Sequence, residues 1–88
     1  MSRQLFLIKG NICGDRVRIG RAIQKPPMKQ EDLAREIQLM GMDMTPLMIS
    51  RIEHNKRHVC DAELRMLAKA LHVSMDWLCG EGDEIKLN

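Results

Sequence analysis

The chain has 88 residues and a mass of 10.1 kDa, which is enough for one small domain. With 44% hydrophobic and 30% charged residues, its composition is that of a globular protein and excludes a disordered chain or a coiled coil. The longest apolar run, Leu5–Ile8, is far shorter than the roughly 20 residues of a membrane span. It is also shorter than the apolar region of a signal peptide, about 7–15 residues. We therefore expect a cytoplasmic protein with no membrane partner.

The three cysteines are odd in number and form no CxxC pair: Cys13, Cys60 and Cys79. This pattern does not indicate a disulfide framework, and it favours reduced thiols in a reducing compartment. We expect all three to be buried apolar residues.

The net charge of +2 does not by itself indicate a nucleic-acid-binding protein. Its distribution is more informative, since residues 14–30 carry +4 and residues 45–60 carry +2, whereas residues 31–44 and 61–88 carry −3 each. Such alternation predicts a positive face on a nearly neutral protein. The alternative is a set of charges scattered over a solvated surface.

The chain begins with an N-terminal arm, residues 1–13, which is apolar at Leu5–Ile8 and broken at Gly10. The arm is predicted to be either an ordered segment, such as a short strand, or a frayed terminus. Residues 15–25 suit a first helix. Pro26 ends it, because proline lacks the N–H that a continuing helix needs.

A second helix is predicted from Gln30, with acidic residues in its first turn, to a stop at Gly41. The third helix has the clearest start in the chain. Thr45 can cap its free N–H groups, and Pro46 occupies the first helical position, where proline is tolerated. The third helix is expected to end near His54.

Two more helices are predicted after a basic loop. Asp61 is expected to cap the fourth helix, and Ser74 to cap a short fifth helix that stops at Gly80. Residues 81–88 form an acidic tail that we expect to be mobile. The predicted fold is therefore all-α, with five short helices in one domain over residues 14–80.

Three segments occur in a fixed order with appropriate helix caps: Gln30–Ala34, Ile49–Glu53 and Leu67–Leu78. Together they resemble the phage-repressor (Cro/cI, or XRE) family of helix-turn-helix transcriptional regulators. The resemblance implies a compact, lambda-repressor-like domain of five helices, of which the second and third form the motif. It also implies a sequence-specific regulator, most commonly a repressor, whose third helix enters the major groove of double-stranded DNA and which acts as a homodimer.

The resemblance implies which residues read the bases. The matching positions are Pro46, Leu47 and Arg51, with Thr45 and Ser50 beside them. A guanidinium such as that of Arg51 can donate two hydrogen bonds to guanine, although a phosphate contact or a solvated side chain is the alternative. Leu47 can contact only a thymine methyl group or another apolar surface.

Other positions match contacts to the DNA backbone. Gln30 and the loop residues Lys56 and Arg57 match phosphate-binding positions, and we assign His54 to the same role. Such contacts orient the protein on the duplex but carry little sequence information.

The resemblance also implies one structural ion pair, between Arg21 and Glu53, which would tie the first helix to the end of the third. If Arg21 is exposed, its expected role is a phosphate contact instead.

The sequence departs from the family pattern in the turn between the second and third helices, which Met40–Met44 enlarge. The start of the third helix, Pro46–Met48, is also less polar than is common. We therefore expect direct base readout to be sparse, with DNA shape supplying part of the specificity.

Metal and enzyme interpretations are weaker. The Met-x-Met-x-Met spacing of Met40–Met44 suits copper(I), but flexible filling of the core explains it more simply. His54, His58 and Cys60 lack a fourth zinc ligand. No nucleophile–base pair or phosphate-binding loop is recognisable, and a domain of this size leaves little room for a cleft. We expect no enzyme activity, no metal or other cofactor, and no small-molecule effector.

A second hypothesis keeps the fold but assigns it to protein interaction, as in an antitoxin-like or phage-derived partner. In that case Leu47, Met48 and the Met40–Met44 turn would form an apolar contact patch.

Overall fold

The computed structural model describes residues 10–82 and contains five α-helices and no strand within that range. The expectations for residues 1–9 of the arm and residues 83–88 of the tail lie outside the described residues. The prediction of an all-α, five-helix domain is confirmed. The helices are α1 (Gly14–Ala22), α2 (Gln30–Leu39), α3 (Pro46–Glu53), α4 (Asp61–Leu71) and α5 (Met75–Leu78).

The hydrophobic core draws residues from all five helices, and each buried aliphatic or aromatic side chain contributes about 1.5–3 kcal/mol to folding. On α4, Leu67, Ala68 and Leu71 are buried, and Leu64 is partly buried beside them. The other helices contribute to the core the residues Val17, Leu33, Ala34, Ile37, Ile49, Ile52, Trp77 and Leu78.

No helix within residues 10–82 has the length and hydropathy needed to cross a membrane.

Side-chain caps define where the short helices begin. The Thr45 hydroxyl oxygen accepts a hydrogen bond from the Met48 N–H (3.1 Å), and the Ser74 hydroxyl accepts one from the Trp77 N–H (3.0 Å). Both caps were predicted from the sequence. The prediction for α4 was wrong by one residue, because Cys60 occupies the N-cap position and Asp61 begins the helix.

The first helix is also shorter than predicted, since it ends at Ala22 and not at Lys25. The Arg21 carbonyl accepts hydrogen bonds from the N–H groups of Gln24 (3.3 Å) and Met28 (2.9 Å). The helix therefore ends before the prolines, and the segment that contains them turns back onto the Arg21 carbonyl.

The enlarged turn between α2 and α3 is anchored to the core. Gly41 has a φ of +95°, which suits glycine better than any other residue. Met44 then places its side chain in the core with no exposed surface, and its carbonyl accepts a hydrogen bond from the Gln38 side-chain amide. The expected core-filling role therefore holds for Met44.

Arg16 joins α1 to α5. Its guanidinium lies 5.0 Å from the centre of the Trp77 ring, within the range of a cation–π interaction. The same group donates hydrogen bonds to the carbonyls of Trp77 (3.1 Å) and Gly82 (2.7 Å). Trp77 is thus held inward, and its side chain is buried.

The cysteines differ from one another. Cys13 is buried, Cys79 is half-buried and Cys60 is exposed, so the expectation of three buried thiols is wrong for Cys60, which lies at the start of α4. Burial, with a smaller contribution from the neighbouring Cys79, raises the pKa of Cys13 to about 11. The Cys13 thiol is therefore protonated at neutral pH and is not a nucleophile there.

The end of α4 allows a test of local backbone strain. His72 is exposed and has a φ of +59° in the left-handed region, which costs a non-glycine residue roughly 1–2 kcal/mol. We expect His72→Gly to raise the free energy of unfolding by about 1 kcal/mol, measured by urea denaturation. His72→Ala is the control and should give no gain. A His72→Gly midpoint at or below that of the wild type would contradict the prediction.

Candidate nucleic-acid interface

Helix α3 has one buried and one exposed face. Ile49, Ile52 and Glu53 point into the protein. The opposite face contains Leu47, which is 59% exposed, followed by Arg51 and His54 at the helical spacing of four and three residues. The exposed positions at the start of the helix are Thr45 and Pro46, and Ser50 is half-buried.

Arg51 differs from most of the arginines in the described part of the chain. It is exposed, and no carboxylate within residues 10–82 forms an ion pair with it. Its five N–H donors are therefore available to an external acceptor. Four other arginines have a carboxylate partner: Arg18, Arg21, Arg35 and Arg57.

His54 follows on the same face but is partly engaged by its own helix. Its Nδ1 donates a hydrogen bond to the Ser50 carbonyl (2.8 Å) and lies 3.4 Å from the Ser50 hydroxyl. In the neutral ring with this tautomer, Nε2 can only accept a hydrogen bond. Donation to a phosphate would require the protonated imidazolium.

The loop after α3 begins with a Schellman motif. The Lys56 N–H donates to the Arg51 carbonyl (2.8 Å) and the Asn55 N–H to the Ile52 carbonyl (3.1 Å). Asn55 has the left-handed φ of +60° that this motif requires. Lys56 then extends into solvent, and its ammonium has no ion-pair partner in residues 10–82.

Arg57, the next residue, is bound within the protein. Its two terminal nitrogens, Nη1 and Nη2, donate to the two carboxylate oxygens of Glu63, at 3.2 and 3.1 Å. Glu63 also accepts a hydrogen bond from the Cys60 N–H (3.1 Å) at the start of α4. Among residues 10–82 the structure therefore leaves the Lys56 ammonium unpaired while it uses Arg57 to close the loop.

A buried ion pair connects the elements beneath this face. Arg21 donates from Nε to Glu53 (2.6 Å) and from Nη2 to the other carboxylate oxygen (2.7 Å). Its Nη1 donates to the Met28 carbonyl (2.9 Å), and the Gln30 side-chain amide donates to Glu53 (3.1 Å). The structure thus brings Arg21 and Glu53 together and turns the Gln30 amide toward them.

The starts of α2 and α3 lie side by side. Lys29, Gln30, Glu31 and Pro46 line one shallow depression with Arg21. Partial positive charge from both helix N-termini therefore falls on the same area of the surface. Glu31 in this depression and the exposed Asp43 two residues before Thr45 partly offset that charge.

Sequence reasoning missed Asn11. Its Oδ1 accepts from the N–H groups of Cys13 (2.9 Å) and Gly14 (2.7 Å), which is how an asparagine stabilises a turn before a helix. Its Nδ2 donates to the carbonyls of Ile52 (3.0 Å) and Arg57 (3.0 Å). An asparagine just before a helix start is a local signal for its contacts with Cys13 and Gly14. Its contacts with residues 52 and 57 have no local signal, because those residues are distant in the sequence.

Two further observations concern possible ligands. No group of three or more His, Cys, Asp or Glu residues in the described range could hold a metal ion. A mostly apolar cleft of about 360 Å³, which the sequence did not predict, lies between the arm and α4 and is lined by Ile12, Cys13, Val59, Leu64 and Cys79 among others.

Two helices joined by a turn, the second with an exposed face that carries Arg51 and a cationic loop after it, define a DNA-binding helix-turn-helix domain. The comparison with protein families agrees, since a family model described as helix-turn-helix matches residues 28–78, more than half of the chain. The chain therefore belongs to the helix-turn-helix family, and the predicted Cro/cI-like (XRE) type and lambda-repressor-like fold are confirmed. The comparisons gave no match with a curated protein or a solved structure.

The ion pair beneath α3 gives a direct prediction for stability. Arg21→Ala leaves the Glu53 carboxylate, whose side chain is 2% exposed, without its charged partner. Stranding a buried charge in this way costs about 3–5 kcal/mol, and we expect that loss of unfolding free energy in urea denaturation. Arg18→Ala removes an exposed arginine of the same helix and should cost less than about 1 kcal/mol. Equal losses in the two variants would contradict this role.

The Glu63–Arg57 pair predicts a dependence of stability on pH. Burial raises the pKa of Glu63, but the hydrogen bonds from Arg57 and Cys60 and the Arg57 charge outweigh it, so the pKa is below its usual 4.5. A lowered carboxyl pKa stabilises the fold above the unfolded-state pKa, and this contribution is lost as the pH falls through the folded-state pKa.

The stability advantage of the wild type over Glu63→Gln should therefore be constant near neutral pH and shrink in acid. Urea denaturation between pH 7 and pH 3 measures this difference. Glu36→Gln, at an exposed carboxylate, is the control and should show little difference at any pH. A Glu63→Gln difference that persists unchanged at pH 3 would refute the assignment.

Proposed function

We propose that this protein is a sequence-specific transcriptional regulator, acting as a repressor, that reads the DNA major groove with α3. The observation that carries the proposal is the exposed α3 face, on which Arg51 has no carboxylate partner within residues 10–82, followed by the free ammonium of Lys56. The repressor role rests on the resemblance to phage repressors. We further propose that the protein is cytoplasmic. We also propose that it catalyses no reaction and responds to no small-molecule effector.

Base reading is proposed for the exposed side of α3. The Arg51 guanidinium would donate to O6 and N7 of a guanine, a contact worth about 1–3 kcal/mol of discrimination. Leu47 would contact a thymine methyl group, and Ser50 can both donate and accept. At the start of the helix, Thr45 retains its O–H donor while its oxygen accepts the Met48 N–H, and Pro46 offers only apolar contact.

Phosphate binding is proposed for residues on either side of α3. Lys56 supplies on one side a cation that no carboxylate of residues 10–82 pairs with, and His54 would join it as the imidazolium. On the other side, Gln30 stands at the N-terminus of α2, where backbone N–H groups favour an anion. Glu63 already accepts the hydrogen bonds of the two terminal nitrogens of Arg57. Arg57 would therefore contribute to phosphate binding through its position in the loop.

A homodimer is proposed because one chain offers one recognition helix. Two copies related by a twofold axis would place their α3 helices in successive major grooves, about 34–36 Å apart. The preferred site would then be palindromic, with half-sites 10–10.5 base pairs apart.

Selection from random duplexes tests the proposal. We expect enrichment of a symmetric site with the half-site spacing given above. Fluorescence anisotropy with the selected duplex should then show an affinity that falls steeply with salt. Arg51→Ala should reduce the preference for the selected guanine by about 5- to 150-fold. Lys56→Ala should weaken all sequences alike and reduce the salt slope by about one.

Arg65→Ala is the matched control, because Arg65 is an exposed arginine of α4 that lines a depression with Met75 of α5. It should leave both base preference and salt slope unchanged. Failure of the wild type to enrich any duplex, or an equal effect of Arg65→Ala and Arg51→Ala, would refute the proposal.

The protein-interaction hypothesis is favoured by one observation, the 59% exposure of Leu47 on the outward face of α3. Its patch is smaller than the sequence suggested, because Met44 is buried and Met42 and Met48 pack against the core. Leu47→Asp separates the two functions. Retention of duplex binding in this variant, with loss of a protein ligand, would favour the interaction module.

A further inference from the structure

We propose that Asn11 is a positioning residue for DNA binding: its side chain holds the loop that presents Lys56 to the DNA backbone. The inference deepens the proposed function and rests on it. Asn11 lies at the end of the arm, outside the helix-turn-helix match at residues 28–78, so it extends the DNA-binding machinery to a segment 45 positions before Lys56.

The contacts of Asn11 bracket Lys56. The side-chain amide donates to the carbonyl of Ile52 before the loop and to that of Arg57 after Lys56, both at 3.0 Å. The Asn11 backbone N–H donates to Oδ1 of Asn55 (2.6 Å). The loop is therefore held at positions 52, 55 and 57, while the Lys56 side chain between them is exposed and has no ion-pair partner in the described range 10–82. We call this set of hydrogen bonds the Asn11 clasp.

The backbone around the clasp is built for close approach. A Cβ atom on Gly10 would lie 2.3 Å from the Asn55 carbonyl oxygen, and one on Gly14 would lie 2.3 Å from that of Ile52. Real Cβ atoms essentially never come so close, and the neighbouring atoms are backbone, so a side chain at either position would push the arm and the end of α3 apart. This spacing lets the arm lie directly on the end of α3.

The geometry also requires an amide at position 11. Nδ2 has two protons, which go to two carbonyls, and Oδ1 accepts two N–H groups. Serine could still accept at the start of α1 but has no second donor for the loop. Aspartate keeps the shape and the acceptors but places a carboxylate oxygen against two carbonyl oxygens. Both substitutions therefore open the loop side of the clasp and keep the acceptor at the start of α1.

The test is a double-mutant cycle with Lys56, using the duplex selected for the wild type. We expect Asn11→Ser and Asn11→Asp each to weaken binding about 5- to 30-fold and to lower the salt slope by about one, as Lys56→Ala does. Preference for the selected bases should be unchanged. The variant Asn11→Ser/Lys56→Ala should bind no more weakly than Lys56→Ala alone, because residues that act as one unit are not additive.

Ile12→Asp controls for the charge that aspartate adds, since Ile12 is exposed and adjacent to the clasp but makes none of its hydrogen bonds. Its effect should add to that of Lys56→Ala. Amide hydrogen exchange supplies a readout without DNA, and exchange at Asn55 and Lys56 should be faster in Asn11→Ser at pH and temperature where the variant is fully folded.

The outcomes separate this inference from the proposed function. Additive effects of Asn11→Ser and Lys56→Ala, an unchanged salt slope or unchanged exchange at residues 55 and 56 would overturn the positioning role alone. Failure of the wild type to bind any duplex would overturn the proposed function and, with it, the role of the clasp in DNA binding.

Discussion

The structure depends on one buried carboxylate, that of Glu53. Arg21 of α1 neutralises it with two hydrogen bonds, and Gln30 at the start of α2 adds a third. A buried charge is tolerated only when it is paired and hydrogen-bonded. Satisfying Glu53 therefore fixes α1, α2 and the end of α3 relative to one another, with the face of α3 that carries Leu47 and Arg51 turned outward.

Much of the fold could be predicted from the sequence because its signals are local. The Thr45 hydroxyl and Pro46 define the start of α3 within three residues, and the apolar spacing of α3 and α4 gives their buried faces. The errors occurred where a second side chain or a backbone turn decides the boundary of a helix. Glu63 helps set the start of α4 at Cys60, and the hydrogen bonds of the Arg21 carbonyl end α1 before Lys25.

The exposed residues of the candidate site could be predicted from the sequence, but the ion pairs and hydrogen bonds around them could not. Periodicity alone separates the exposed Leu47, Arg51 and His54 from the buried side of α3. It cannot show that Arg57 has a carboxylate partner or that Asn11 contacts the end of α3, because these contacts join residues whose proximity results from tertiary packing. The sequence therefore treats Lys56 and Arg57 as equivalent cations, whereas the structure gives them different environments.

The internal pairing of arginines has a consequence for how the protein responds to its ionic surroundings. Binding to DNA gains free energy largely from the release of condensed counterions. About one counterion is released for each phosphate that a protein cation neutralises. A cation such as Arg57 that already has a carboxylate partner displaces fewer ions than its formal charge suggests. The salt dependence of DNA binding would then follow the cations near the duplex that have no carboxylate partner within residues 10–82, such as Arg51 and Lys56, and not the 14 basic residues of the chain.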